Sequence, residues 1–364
     1  MDCFITDYKL DCPSGTVRAV LEDSIMQKGY PVTAGTKMLE NFISPFDAEV
    51  VTRLEASGVK ILGKTKMDEF GAGGLIPNAP IVASGAVTAV ADGIADFALC
   101  NDYSGAVRQQ AIKRGVCYIH PTYGTVSRYG LIPSVTSMDQ IGIVCKTPAD
   151  GFDALSQIAG HDPKDGAMFP DKKYSYEAGK SGLKIGVPSN IAKTPAVSEF
   201  IKKFDTVEFE LKYFDVYEHV MRILCFAELS NNISRYDGIK FGHRASDFHG
   251  LRELYTKSRT ESFGLSAKLS AIMGALMLSQ DNYTRYYDKA MRIRRLIKES
   301  LEFDKYDAII LPATDETSGL ALTALPQLAG LPSVTVPFAD GGVSLVADVK
   351  CENVLFSALE VAGI

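Results

Sequence analysis

The chain has 364 residues, 46% of them apolar and 23% charged, which is enough to bury a large core and is the make-up of a folded, soluble protein. A formal net charge of −6 excludes a surface that grips nucleic acid unaided, because phosphate contacts need clustered Lys and Arg. Seven scattered cysteines, without CxxC pairing or metal-finger spacing, read as reduced thiols and exclude a disulfide framework or a zinc module.

The opening residues through Gly15 give only weak signals. Asp47, just after Pro45-Phe46, is placed to cap a helix carrying Val50, Val51 and Leu54 on one side, with Gly58 as its stop. Residues 59–62 form a short apolar run, read as a strand. The stretch 86–94 is rich in small residues and reads as a helix packed tightly against a sheet. Thr147-Pro148-Ala149-Asp150 opens a helix with Phe152, Leu155 and Ile158 on one stripe, ended by Gly160. His161 follows in a loop, with no second His at metal spacing. Residues 183–188 read as a strand, 196–204 as a helix and 207–211 as an alternating strand. A buried strand at 306–312 and a final strand and helix within 343–364 complete a pattern that suits an α/β sheet. No low-complexity tract divides the chain, so one domain over 1–364 is expected.

Residues 100–143 read CNDYSGAVRQQAIKRGVCYIHPTYGTVSRYGLIPSVTSMDQIGI. Before them stand KGYPVTAGTKMLENF at 28–42 and GKTKMDEF at 63–70; after them come SRYDGIKFGHR at 234–244 and LAGLPSVTVP at 328–337. Together these segments resemble the amidase signature family, closest to the A subunits of the tRNA-dependent amidotransferases. The resemblance implies an α/β fold with a central mixed β-sheet covered by helices on both faces. It also puts a first core strand within 17–25, where Asp23 is kept and Glu22 stands in place of a lysine, and it implies that an N-terminal helical segment is missing or reduced.

Carried over residue by residue, the resemblance puts the catalytic base at Lys64. The Gly-Gly-Ser-Ile-Arg turn that bears the nucleophile becomes Ser104-Gly105-Ala106-Val107-Arg108, so Ala106 stands where the attacking hydroxyl should be, while Asp102 and Arg108 keep the family's residues and are expected to bind ligand. Val82 falls on the bridging serine and Ala86 on the last serine of the preceding turn, and the loop at 71–80 is shorter than in relatives. Arg294 matches the arginine that grips the carboxylate of glutamine, a task suited to its planar fork, although its helix reads equally well as a solvated basic face. Leu320 stands at the position of the aspartate that binds the substrate's amino group, after a second shortened loop.

An unaided serine is a weak nucleophile, so the family's chemistry needs a neutral lysine within hydrogen-bond reach of two hydroxyls. Here the lysine stays and both hydroxyls go, and a methyl group cannot attack a carbonyl. Ser84 and Ser104 survive two positions from the lost pair, but catalytic groups tolerate misplacement of only about an ångström. Two readings follow: a catalytically degenerate relative acting as scaffold, assembly partner or ligand binder, and an active amidase or glutamine amidohydrolase supplying ammonia for tRNA-dependent amidation. Neither calls for a cofactor or a metal. The resemblance implies a protein partner, either an amidotransferase-type subunit or a second copy, with no direct nucleic-acid binding. No apolar run is long enough to span a bilayer and no charged-then-apolar leader follows Met1, so the expected setting is the cytoplasm, away from membranes.

Overall fold

The computed structural model of the chain describes residues 3–77, 81–313 and 319–364. In chain order, β1 (Phe4–Asp7) and β2 (Arg18–Glu22) precede α1 (Glu49–Ala56), β3 (Lys60–Thr65), α2 (Gly85–Ala91), β4 (Phe97–Asn101) and α3 (Ala106–Lys113). Next come β5 (Cys117–His120), β6 (Ile141–Cys145), α4 (Pro148–Ile158), β7 (Lys184–Pro188), α5 (Pro195–Phe200) and β8 (Asp205–Phe209). A helical run follows, α6 (Tyr217–Ile233), α7 (Gly250–Ser262), α8 (Leu265–Leu278) and α9 (Lys289–Glu299). The chain closes with β9 (Ala308–Pro312), α10 (Gly319–Ala329), β10 (Ser333–Phe338), β11 (Gly341–Ala347) and α11 (Glu352–Ala362).

These strands join one sheet in the order β1-β3-β2-β4-β6-β5-β10-β11-β9-β7-β8. It is mixed: β2 runs parallel to β3 and β4, and β7 parallel to β8 and β9, whereas the pairings from β4 through β6, β5, β10 and β11 to β9 are antiparallel. Side chains alternate across a strand, so each strand feeds two cores. Ala19 and Leu21 of β2 face a core built with α1, α4, α5 and α11, while Val20 faces α2 and α3. Ile310 of β9 belongs to the first core, and Ile309 and Leu311 lie under α6, α8, α9 and α10. The resulting architecture, a mixed sheet with helices on both faces, is the one the resemblance implied.

Local readings hold where capping and period agree. α4 begins at Pro148 behind Thr147, whose Oγ1 accepts from Asp150 N at 3.2 Å, and Phe152, Leu155 and Ile158 all enter the core. α1 differs at its start: its N-cap is Ala48, and Asp47 instead accepts from Lys28 N at 2.7 Å. Gly58, at φ +79°, follows the end of α1 as expected. The expected helix at 86–94 is α2, one residue longer at its start and three shorter at its end, because Ser84 caps it and Gly93 breaks it. The helix expected over 196–204 is α5 continued by a single 3₁₀ turn, Ile201–Lys203. β1 has no counterpart among the expected elements; it pairs antiparallel with β3 and extends the sheet by one edge. The strand expected at 59–62 accordingly runs on to Thr65. The ends of both shortened loops, 78–80 and 314–318, lie outside the described residues, as does the start of the chain at 1–2.

Candidate active site

β4 delivers the chain into a turn, residues 102–105, that opens α3. Asp102 satisfies the helix's free N–H groups: Oδ1 accepts from Val107 N and Oδ2 from Arg108 N, both at 3.0 Å. Oδ2 also accepts from Arg108 Nε at 3.0 Å, and the guanidinium further donates to Asp102 O, Ser333 Oγ and His120 Nδ1. Both side chains are buried, so the ligand-binding role expected for Asp102 and Arg108 gives way to holding the turn from inside. Gly105 sits at φ +80°, and a Cβ there would run into the Thr323 side chain of α10, so glycine is required twice over. Ala106 is the first residue of α3, with its methyl toward Gly74.

Lys64 belongs to β3 itself rather than to a solvated loop after it. The parallel register places it beside Leu21 of β2, and the antiparallel register beside Thr6 of β1. Its side chain is fully buried, and Nζ has no hydrogen-bond partner among the described residues. Burial pushes the amine down to about 8, with Asp23 and Glu22 pulling the other way. Burial also raises the Glu22 carboxyl to about 8, although Oε1 accepts from Ser24 Oγ at 2.6 Å and from Asn101 N at 3.2 Å. Asp23, raised by burial as well, accepts from both the backbone N–H and the hydroxyl of Thr33.

The chain from Phe70 to Gly74 closes over the turn. Tyr103 Oη donates to Phe70 O at 2.9 Å, and Ser104 Oγ donates to Gly73 O at 2.9 Å while accepting from Ala106 N at 3.4 Å. Ser84 caps α2, its Oγ accepting from Val87 N and its own N–H donating to Gln110 Oε1 at 2.8 Å. Val82 is exposed, and its N–H donates to Asp68 Oδ1 at 2.9 Å. The structure therefore brings Val82, Ser84, Asp102, Ser104 and Ala106 around one cavity, but that cavity measures only about 20 Å³. One water needs roughly 10–15 Å³, so this space holds about one water. No hydrogen bond joins the Lys64 amine to either serine.

The Amidase family model matches residues 17–81 and 83–320. The chain belongs to the amidase family. The A subunit of the glutamyl-tRNA(Gln) amidotransferase of Lachnoclostridium phytofermentans is 35% identical over 375 aligned positions, which cover 90% of this chain and 76% of that protein. Its counterpart in Acinetobacter baumannii (strain AYE) is 34% identical over 365 positions, covering 87% and 74%. Among solved structures, the A subunit of the same amidotransferase from Thermotoga maritima superimposes with a TM-score of 0.74 at 25% identity, covering 98% of this chain and 85% of that one. The peptide amidase of Stenotrophomonas maltophilia, at 22% identity and a TM-score of 0.74 over 95% and 82%, shares the fold.

Against this amidase frame, the two substrate-binding positions come apart. Arg294 donates Nε to Leu328 O at 2.7 Å, Nη1 to Ser137 Oγ at 2.7 Å, and Nη2 to Ser137 O and Gln327 O. It thus grips the C-terminal end of α10, whereas Leu320 is the second residue of that helix and is packed in the core. Arg294 lines a surface groove that Leu320 does not line. Glu22, Asp68, Asn101 and Gln110 line the small cavity and were not singled out as site residues. For Glu22 a signal existed, a carboxylate directly following the apolar run Ala19-Val20-Leu21.

Proposed function

We propose that this amidase-family chain is a relative of the amidotransferase A subunits that no longer hydrolyses amides and works as an assembly partner or ligand binder. One observation carries the reading: the first residue of α3 offers a methyl group, while the buried Lys64 amine has no hydroxyl to deprotonate. An acyl-transfer site needs nucleophile and base within hydrogen-bond reach of each other. The 20 Å³ cavity supports the same conclusion.

The comparisons taken alone favour the other reading, an active amidase or glutamine amidohydrolase, because the relatives are named as amidotransferase subunits and an amidase. In this chain it requires Ser84 or Ser104 to supply the nucleophile. Ser104 would first have to give up its bond to Gly73 O and shift toward Lys64.

Relatives named as subunits of an amidotransferase work within an assembly, which supports a partner here, either an amidotransferase-type subunit or a second copy. α8 offers such a partner ground. Leu265, Leu269, Ile272 and Leu276 repeat at spacings of four, three and four along its outer face, with Leu265 and Ile272 more than 60% exposed. We take residues 1–364 as one domain, since a single sheet draws strands from Phe4 to Ala347, and place the chain in the cytoplasm as its relatives' role in tRNA amidation suggests. No described helix is long and apolar enough to cross a membrane. Native purification followed by analytical ultracentrifugation tests the association: a defined complex is expected, and a monomer at every concentration with nothing co-purifying would contradict it.

A further inference from the structure

A groove of about 490 Å³ opens at the C-terminal end of α10, whereas the Ala106 turn abuts that helix's first turn through Gly105–Thr323 and Gln109–Gly319 contacts. One face of α9 lines it: Met291, Arg294, Arg295 and Lys298 stand at i, i+3, i+4 and i+7. The rings of Tyr123 and Phe169 and the side chain of Leu328 contribute apolar surface. Three cations thus line the groove, and no Asp or Glu is among the lining residues.

The three cations differ in what they have left to offer. Arg295 is paired with Glu299 at 2.6 Å. Lys298 has no carboxylate partner among the described residues. Arg294 is locked in place by its four acceptors, which leave one of its five N–H groups free, and no carboxylate contacts it directly. Its nearest counter-charge, Glu228, is reached only through Ser137, whose N–H and hydroxyl both donate to that carboxylate. A rigid, half-buried guanidinium, offset in part by Glu228 across Ser137, beside a free ammonium therefore leaves a net positive balance at the mouth of a groove with aromatic surface.

We propose that this groove binds a small molecule carrying a phosphate group on a flat, apolar body. A phosphate suits the positive balance left by Arg294 and Lys298, because guanidinium and ammonium donors bond phosphate oxygens with charge assistance. The flat body fits against Tyr123 and Phe169, and the volume falls within the usual range for small-molecule sites. The proposal rests on the groove alone, so its failure would leave the non-hydrolytic reading untouched.

Isothermal titration calorimetry of the full chain with ADP, inorganic pyrophosphate and adenosine tests it. ADP is expected to bind most tightly, pyrophosphate more weakly, and adenosine not measurably. Lys298 and Arg295 are exposed, so Lys298→Glu with Arg295→Glu should keep the thermal midpoint while weakening ADP at least about tenfold, the worth of a charged hydrogen bond or more. Ala106→Ser should leave ADP binding unchanged. Absence of ADP binding at millimolar concentration, or binding undiminished in the double charge-reversal variant, would overturn the proposal.

Discussion

Burial moves Lys64 and Glu22 in opposite directions, and the consequences for stability can be separated by pH. Glu22 is raised from 4.5 to about 8, so its contribution is fully present below pH 4.5 and is lost as the pH rises through 8. Lys64 is lowered from 10.5 to about 8, so between those values the unfolded chain holds a proton the folded chain has released, and stability climbs with pH. Thermal melts should show wild type losing stability relative to Glu22→Gln from pH 5 to 8, and gaining it relative to Lys64→Met from pH 8 to 10. Curves that stay parallel over both windows would show that neither group carries the shift. The same residues limit any repair of the site. Val82→Ser with Ala106→Ser supplies hydroxyls at both positions where the resemblance implies them, yet it leaves Gly73 and Gly74 closed over the turn. Glutaminase activity in that double variant is expected to stay at least about a hundredfold below an active relative, the cost of one misaimed oxyanion donor or more. Recovery to within about tenfold would show that the pocket is intact.

Among elements, α3 depends on its first turn. Asp102 there caps two N–H groups and neutralises the buried Arg108, so Asp102→Ala should cost about 3–5 kcal/mol in urea unfolding, the usual penalty for stranding one partner of a buried pair. A loss below about 1 kcal/mol would mean that water or another acceptor takes over. What could be read from the sequence at this scale followed local rules. α4 was legible because Thr147, Pro148 and a 3.6-residue apolar stripe agree, whereas the start of α1 was not, because Asp47 is drawn off by the backbone of Lys28, nineteen residues earlier in the chain. β1 is four residues long with half its side chains exposed, so it leaves no pattern strong enough to recognise. Pairing with β1 on one side and β2 on the other carries β3 past Leu62, and Lys64 is buried there, so the lysine's position was legible and its environment was not. That Leu320 does not line the groove holding Arg294 is likewise a tertiary fact that matching residues one by one cannot reveal.

Across the whole molecule, the sheet and both its cores are kept while the cavity at the nucleophile position is nearly filled, a combination expected of a scaffold retained for association. Ile272→Glu with Leu276→Glu would place charges in the exposed row of α8 without touching either core. Sedimentation of this variant should show loss of the complex with an unchanged thermal midpoint, and a complex that survives would move the interface elsewhere. The central claim concerns chemistry. The most direct measurement is steady-state ammonia release from glutamine, asparagine and a small neutral amide by the purified wild-type chain, run beside Ser104→Ala and Ser84→Ala. No release above the protein-free rate is expected from any of the three proteins; sustained turnover by wild type that disappears on Ser104→Ala or Ser84→Ala would contradict the account and establish a displaced serine as the nucleophile.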